Sequence, residues 1–91
     1  KILFLDEPSA GLDPITAAQL DELIVHLSEI LGITFVIVTH ELASVFTLNG
    51  RVIMLDKQAK GIIAEGRAED LKNDRSNPAA WRFFNRSLKE V

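Results

Sequence analysis

The chain has 91 residues, 47% of them hydrophobic and 25% charged, with a net charge of −3 and no cysteine. That length fits one small globular domain, while the charge gives no footprint for nucleic acid or anionic lipid and disfavours binding through a basic patch, and the lack of thiols excludes a disulfide framework or a thiolate metal site. No apolar stretch reaches the roughly 18 residues of a membrane span, and the first residues do not read as a signal peptide.

Ile2-Leu3-Phe4-Leu5 is an unbroken apolar run that stops at Asp6 and Glu7. A strand with one wet face would alternate, so the run predicts a strand buried on both faces, as in a parallel sheet. Asp6 and Glu7 then stand at its carboxyl end, the edge where open α/β sheets bind ligands. Two adjacent carboxylates there suit divalent-metal and water chemistry, one holding Mg²⁺ directly or through water and the other orienting a nucleophilic water. Taken alone, they fit an acidic strand-to-loop turn better, and it is the next thirty residues that reverse this reading.

Asp13-Pro14 predicts a helix start, because aspartate caps open N–H groups and proline is preset for the first helical position. Leu20, Leu23, Ile24, Leu27, Ile30 and Leu31 form one apolar stripe and Gly32 supplies a stop, which predicts a helix over 14–31. Thr34 to Val38 is a second apolar run, rich in β-branched residues, ending at Thr39 and His40. Strand, helix and strand make a βαβ unit whose crossover sets the strands parallel with their carboxyl ends on one edge. Topology alone therefore brings Asp6, Glu7 and His40 together.

Leu42, Val45, Phe46 and Leu48 predict a brief helix within 41–48, closed by the turn pair Asn49-Gly50. Arg51 to Asp56 and Gly61 to Gly66 read either as a hairpin around 57–60 or as a further parallel strand with a partner at its edge. A short helix on Ala68 and Leu71 is expected over 67–73, then a polar linker to Asn77 and a last helix from Pro78 carrying Trp81, Phe83, Phe84 and Leu88. These aromatics lie too close in sequence to share one face, so at least one should point away from the local core, as packing or as a contact surface. His26 falls off the apolar stripe and reads as solvated, Met54 reads as core filler, and Arg82 and Arg86 read as a solvated face.

Ile2 to Glu7 resembles the Walker B segment of ATP-binding cassette (ABC) ATPases, Ser9-Ala10-Gly11-Leu12-Asp13 resembles their D-loop, and Val38-Thr39-His40-Glu41 resembles their H-loop, in family order. The stretch from Asp56 to Gly66, then Asp70-Leu71 and Asn77-Pro78, is similar to the usual cassette ending and most resembles the ATPase subunits of Mla-type (MCE-associated) lipid transport systems. The resemblance implies an α/β fold: a partial P-loop NTPase-type, mostly parallel sheet with flanking helices and a C-terminal helical tail. Residues 1–72 would be the C-terminal part of the nucleotide-binding domain and 73–91 the tail.

It further implies ATP and Mg²⁺, with Asp6 as the Mg²⁺ ligand, Glu7 polarising the attacking water and His40 contacting the γ-phosphate. Ser9 and Asp13 would face the nucleotide and the partner subunit, Asp13 serving also as the helix cap. The implied activity is ATP hydrolysis coupled to transport of a lipid or other hydrophobic compound. The implied partners are a second ATPase subunit and transmembrane permease subunits, at the cytoplasmic side of the membrane.

Two rival readings stand beside this one. A soluble ABC ATPase acting on DNA or ribosomes is opposed by the lack of basic patches and heptads. An interaction or oligomerisation module is favoured by what the sequence lacks: the phosphate loop Gly-x-x-x-x-Gly-Lys-Ser/Thr, the Q-loop and the Leu-Ser-Gly-Gly-Gln signature that the family carries before its Walker B strand. Lys1 also leads straight into the first strand, so the chain reads as the back portion of a longer protein. On its own it is expected to be inactive, with a sheet edge open to self-association.

Overall fold

Asp13 starts the main helix as its chemistry dictates: its backbone is extended (φ −68°, ψ 162°), and Oδ1 accepts the Thr16 amide at 2.9 Å. In the computed structural model, which describes residues 1–89, helix α1 runs from Pro14 to Leu31 and ends on Gly32 in the left-handed region (φ 68°), whose N–H donates to the Ser28 carbonyl. It lies between strands β1 (Ile2–Asp6) and β2 (Thr34–Val38), and helix α2 (Leu42–Leu48) follows. β1 and β2 pair in parallel from Ile2–Thr34 to Asp6–Val38, so the predicted βαβ unit and its level carboxyl ends are present.

The expectation of two strands buried on both faces is not met: Phe4 is 75% exposed, Ile2 60% and Val38 61%. Among the described residues β1 and β2 form a two-stranded sheet, which cannot wrap both faces of either strand. The α1 stripe is also narrower and rotated from the sequence reading. Ile24 is buried and Leu20 and Leu27 are half-buried, but Leu23, Ile30 and Leu31 are exposed. The inward line is instead Ala17, Asp21, Ile24 and Ser28, since α1 turns that side toward α2 and β2. This first unit comprises Lys1–Leu48.

The second unit begins at Asn49. β3 (Arg51–Asp56) and β4 (Gly61–Arg67) form an antiparallel hairpin, the first of the two alternatives open in the sequence. The described strands therefore make two two-stranded sheets, one parallel and one antiparallel, and not a mostly parallel sheet. Register steps from Met54–Ala64 to Leu55–Ile62, leaving Ile63 as the extra residue of a bulge. Its carbonyl accepts Asn77 Nδ2 at 2.7 Å, while Asn77 Oδ1 accepts the Ala80 amide at 3.2 Å. One side chain thus ties the bulge to the start of the last helix.

Helices α3 (Ala68–Lys72) and α4 (Pro78–Lys89) close this unit, α4 packing with both α3 and β4. Ala68, Leu71, Ala80 and Phe84 form its apolar core. Asn85 bridges α3 and α4, donating to the carbonyls of Lys72 and Trp81. None of the three aromatics points fully outward: Phe84 is buried in edge-to-face contact with Phe83 (5.1 Å, 88°), and Trp81 is half-buried under the Arg75 guanidinium. The helix turns Phe84 inward and its neighbours flank it, so local packing absorbs all three rings. The side chains of Arg86 and Leu88 lie outside the described residues.

Candidate functional site

β1 and β2 finish level, and the chain turns sharply at the next residue. Glu7 has φ 47°, a left-handed conformation uncommon for a residue with a Cβ, and its N–H donates to the Val38 carbonyl at 2.7 Å. The turn ends the strand and swings the Glu7 side chain toward the residues that follow β2. There Oε2 accepts the Thr39 hydroxyl at 3.1 Å, and Oε1 accepts both the His40 amide at 3.1 Å and the His40 ring at 2.5 Å from Nδ1.

A carboxylate only accepts, so this contact needs a proton on His40 Nδ1 and turns Nε2 away from Glu7, to 3.7 Å from Glu41 Oε1. The Thr39 hydroxyl, donating to Glu7, also accepts the Glu41 amide at 3.0 Å, which fixes its rotamer. Partial burial works against ionisation of Glu7, but the bonds from the His40 ring, the Thr39 hydroxyl and the His40 amide, with the charge of His40, outweigh it. Its carboxyl is held below the usual carboxylate value. The result is an ionised oxygen acceptor, pinned on three sides and 26% exposed, at the mouth of a parallel strand pair.

The other residues predicted from sequence take distinct places. Asp6 is exposed at the end of β1, opposite Val38. Among the described residues no group of His, Cys, Asp and Glu is gathered to hold a metal ion on its own. A single hard carboxylate oxygen nevertheless fits Mg²⁺, which keeps several waters and is usually held by one or two carboxylates together with substrate phosphates. Asp13 spends both oxygens on Thr16, whose amide and hydroxyl hold its carboxyl below the usual value. Ser9 is turned inward, its hydroxyl 3.2 Å from that of Ser44.

Sequence reasoning named Thr39 only as part of the H-loop-like segment, with no role of its own, and did not single out Asp21 or Ser44. Ser44 Oγ donates to Asp21 Oδ2 at 2.6 Å, and Ser9, Ser44 and Asp21 are all buried. Asp21 carried a readable signal, a charge three residues before Ile24 on the inward side of a helix. Ser44 carried none.

No protein-family model matches the chain. Among curated proteins it is 35% identical over 85 residues to the methionine import ATP-binding protein MetN of Carboxydothermus hydrogenoformans, covering 93% of this chain and 25% of that protein. It is 36% identical over 72 residues to the energy-coupling factor transporter ATP-binding protein EcfA2 of Clostridium perfringens, covering 71% of this chain and 25% of that protein. It is 36% identical over 75 residues to a fluoroquinolones export ATP-binding protein of Mycobacterium tuberculosis, covering 74% of this chain and 25% of that protein. The chain is thus homologous over most of its length to ABC transporter ATP-binding proteins, and spans about a quarter of the length of these relatives.

Proposed function

We propose that this chain carries the water-activating edge of the ATP-binding subunit of a membrane transporter. The observation that carries the reading is the Glu7 carboxylate, gripped by the Thr39 hydroxyl and by the amide and Nδ1 of His40 at the carboxyl end of a parallel strand pair. Phosphoryl transfer to water asks a protein mostly for orientation and charge placement. Glu7, ionised and pinned, accepts a hydrogen bond from the attacking water and aims its oxygen at the γ-phosphate. His40 holds Glu7 through Nδ1–H and, as an imidazolium, would donate Nε2–H to that phosphate.

Asp6 is the residue that would hold Mg²⁺, whose charge, when bound, offsets that of the phosphates. Asp13 sets the start of α1 and, with Ser9, shapes the loop that faces a second ATPase subunit. The exposed apolar faces of β1 and β2 fit burial by the rest of a nucleotide-binding domain. Alone, the chain would not hydrolyse ATP.

The relatives' names include an importer of methionine and an exporter of fluoroquinolones, so kinship supplies neither substrate nor direction. The similarity of the tail to Mla-type ATPases supports a lipid or other hydrophobic substrate and permease partners, with the subunit at the cytoplasmic face. Among the described residues no helix is long and apolar enough to cross a membrane, which fits a subunit that meets the bilayer through partners.

In the full-length protein, Glu7→Gln should bind ATP and fail to hydrolyse it; unimpaired hydrolysis would remove Glu7 from the reaction. For the substrate, hydrolysis by the assembled transporter should rise with phospholipid. A rise with methionine or a fluoroquinolone alone would overturn the hydrophobic assignment.

A further inference from the structure

The first unit buries a second polar system beneath the Glu7 loop. Asp21 is 2% exposed, Ser44 4% and Ser9 6%, in a line running Ser9 Oγ, Ser44 Oγ, Asp21 Oδ2 with steps of 3.2 and 2.6 Å. Its polarity follows from donor counting. Ser44 donates its only hydrogen to Asp21, which leaves Ser9 as the donor to Ser44.

The line joins elements far apart in sequence: Ser9 lies two residues after Glu7, Asp21 is on α1, and Ser44 is on α2, the helix that follows His40. A buried carboxyl group is a costly way to hold a helix pair, since an apolar residue of similar volume avoids desolvating a polar group. Asp21 also leaves Oδ1 buried with no hydrogen-bond partner, and such a group calls for a reason beyond packing.

We infer that Asp21 and Ser44 are positioning residues for the hydrolytic loop: through Ser9 they fix the turn that aims Glu7, and through α2 they hold the His40 segment in register with it. This rests on the proposed ATPase role for its consequence, but not for its geometry. The turn they would brace is bonded locally, with the Ala10 amide donating to the Glu7 carbonyl at 3.1 Å and the Leu12 amide to the Ser9 carbonyl at 3.2 Å. With φ 47° at Glu7, that turn needs holding from below.

The test uses Ser44→Ala, Ser44→Thr and Ser9→Ala in the full-length protein, with two readouts. Amide hydrogen exchange at Ala10 and Leu12 reports the brace without any turnover. It should speed up in both alanine variants and return to normal in Ser44→Thr, which keeps the hydroxyl. Hydrolysis should show kcat falling by about 10- to 100-fold, as misaligned catalytic groups do, while KM for ATP stays within about twofold. Unchanged exchange at Ala10 and Leu12 in both alanine variants would overturn the inference, whatever the activity. Equal loss in Ser44→Thr and Ser44→Ala would overturn it too, pointing to packing. If wild-type protein does not hydrolyse ATP, the ATPase reading fails, and the exchange comparison still decides the brace. Should Ser44→Ala not fold, Ser9→Ala carries the same two readouts.

Discussion

Replacing Glu7 by alanine and, separately, by glycine divides backbone strain from chemistry at one position. Both variants delete the same carboxylate and its bonds to Thr39 and His40, so any difference in their stability comes from the backbone alone. With φ 47°, a Cβ at this position sits in the left-handed region. That conformation costs a residue with a Cβ about a five- to thirtyfold factor in the folding equilibrium. Glycine escapes it but gives back about two- to fivefold through its greater freedom when unfolded. The Glu7→Gly protein should therefore be more stable than Glu7→Ala by about fivefold in the folding equilibrium, the reverse of the usual order of these residues. Urea unfolding of the two full-length variants, compared at equal slope, measures this. An alanine variant as stable as the glycine one, or more so, would refute the claim that strain is stored at Glu7. Neither variant should hydrolyse ATP, so a difference in stability between two inactive proteins cannot be an effect of turnover.

Thr39→Val should lower hydrolysis by about 10- to 150-fold, the worth of one hydrogen bond to a charged group, and Thr39→Ser should restore it; equal rates in the valine variant and wild type would exclude Thr39 from aiming Glu7. The depressed Glu7 carboxyl binds its proton less readily folded than unfolded, so its stabilisation is present above its ordinary value of 4.5 and is lost as pH falls through its lower native value. Glu7→Gln should flatten that acid limb of the stability curve, measured as urea midpoints across pH, and an unaltered limb would contradict the assignment. At Gly32 a Cβ would meet nothing within 4 Å, so the cost of Gly32→Ala is conformational only. It should be about 1 kcal/mol, read as a lowered thermal midpoint, with Gly32→Asn costing less because asparagine tolerates the left-handed region.

Much of the first unit was legible because its signals are local. Asp13-Pro14 and Gly32 bound α1 through capping chemistry that needs no partner, and both ends fall where the sequence places them. The hairpin of β3 and β4 was legible as one of two alternatives, since its loop length fits either topology. Burial was read less well. The apolar runs of β1 and β2 carry the composition of strands covered on both faces, yet Phe4 and Val38 are open in this chain. Composition records what a strand is made to bury, whereas exposure depends on which elements lie over it. The α1 stripe shows the same effect: the wide apolar arc is real, but α2 and β2 select one narrow line from it, with Asp21 at its centre.

The candidate site divides along the same boundary between local and non-local signals. Glu7 and His40 could be brought together from sequence because one rule, the parallel crossover, fixes where two strand ends must lie. The structure then supplies what the rule cannot, namely that Thr39 and the His40 amide hold the Glu7 carboxylate and that Glu7 itself adopts the left-handed turn. Ser9 shows why the deeper support was hidden. As part of a D-loop-like segment it reads as a residue facing a nucleotide and a partner, but its hydroxyl points inward to Ser44, and Ser44 onward to Asp21. A loop able to present groups to a ligand must be anchored on its other side, and that anchor is made of residues with no motif of their own. The more strained the presenting turn, the more such an anchor must supply. The left-handed backbone of Glu7 and the buried carboxyl group of Asp21, on either side of Ser9, are for that reason two parts of one device.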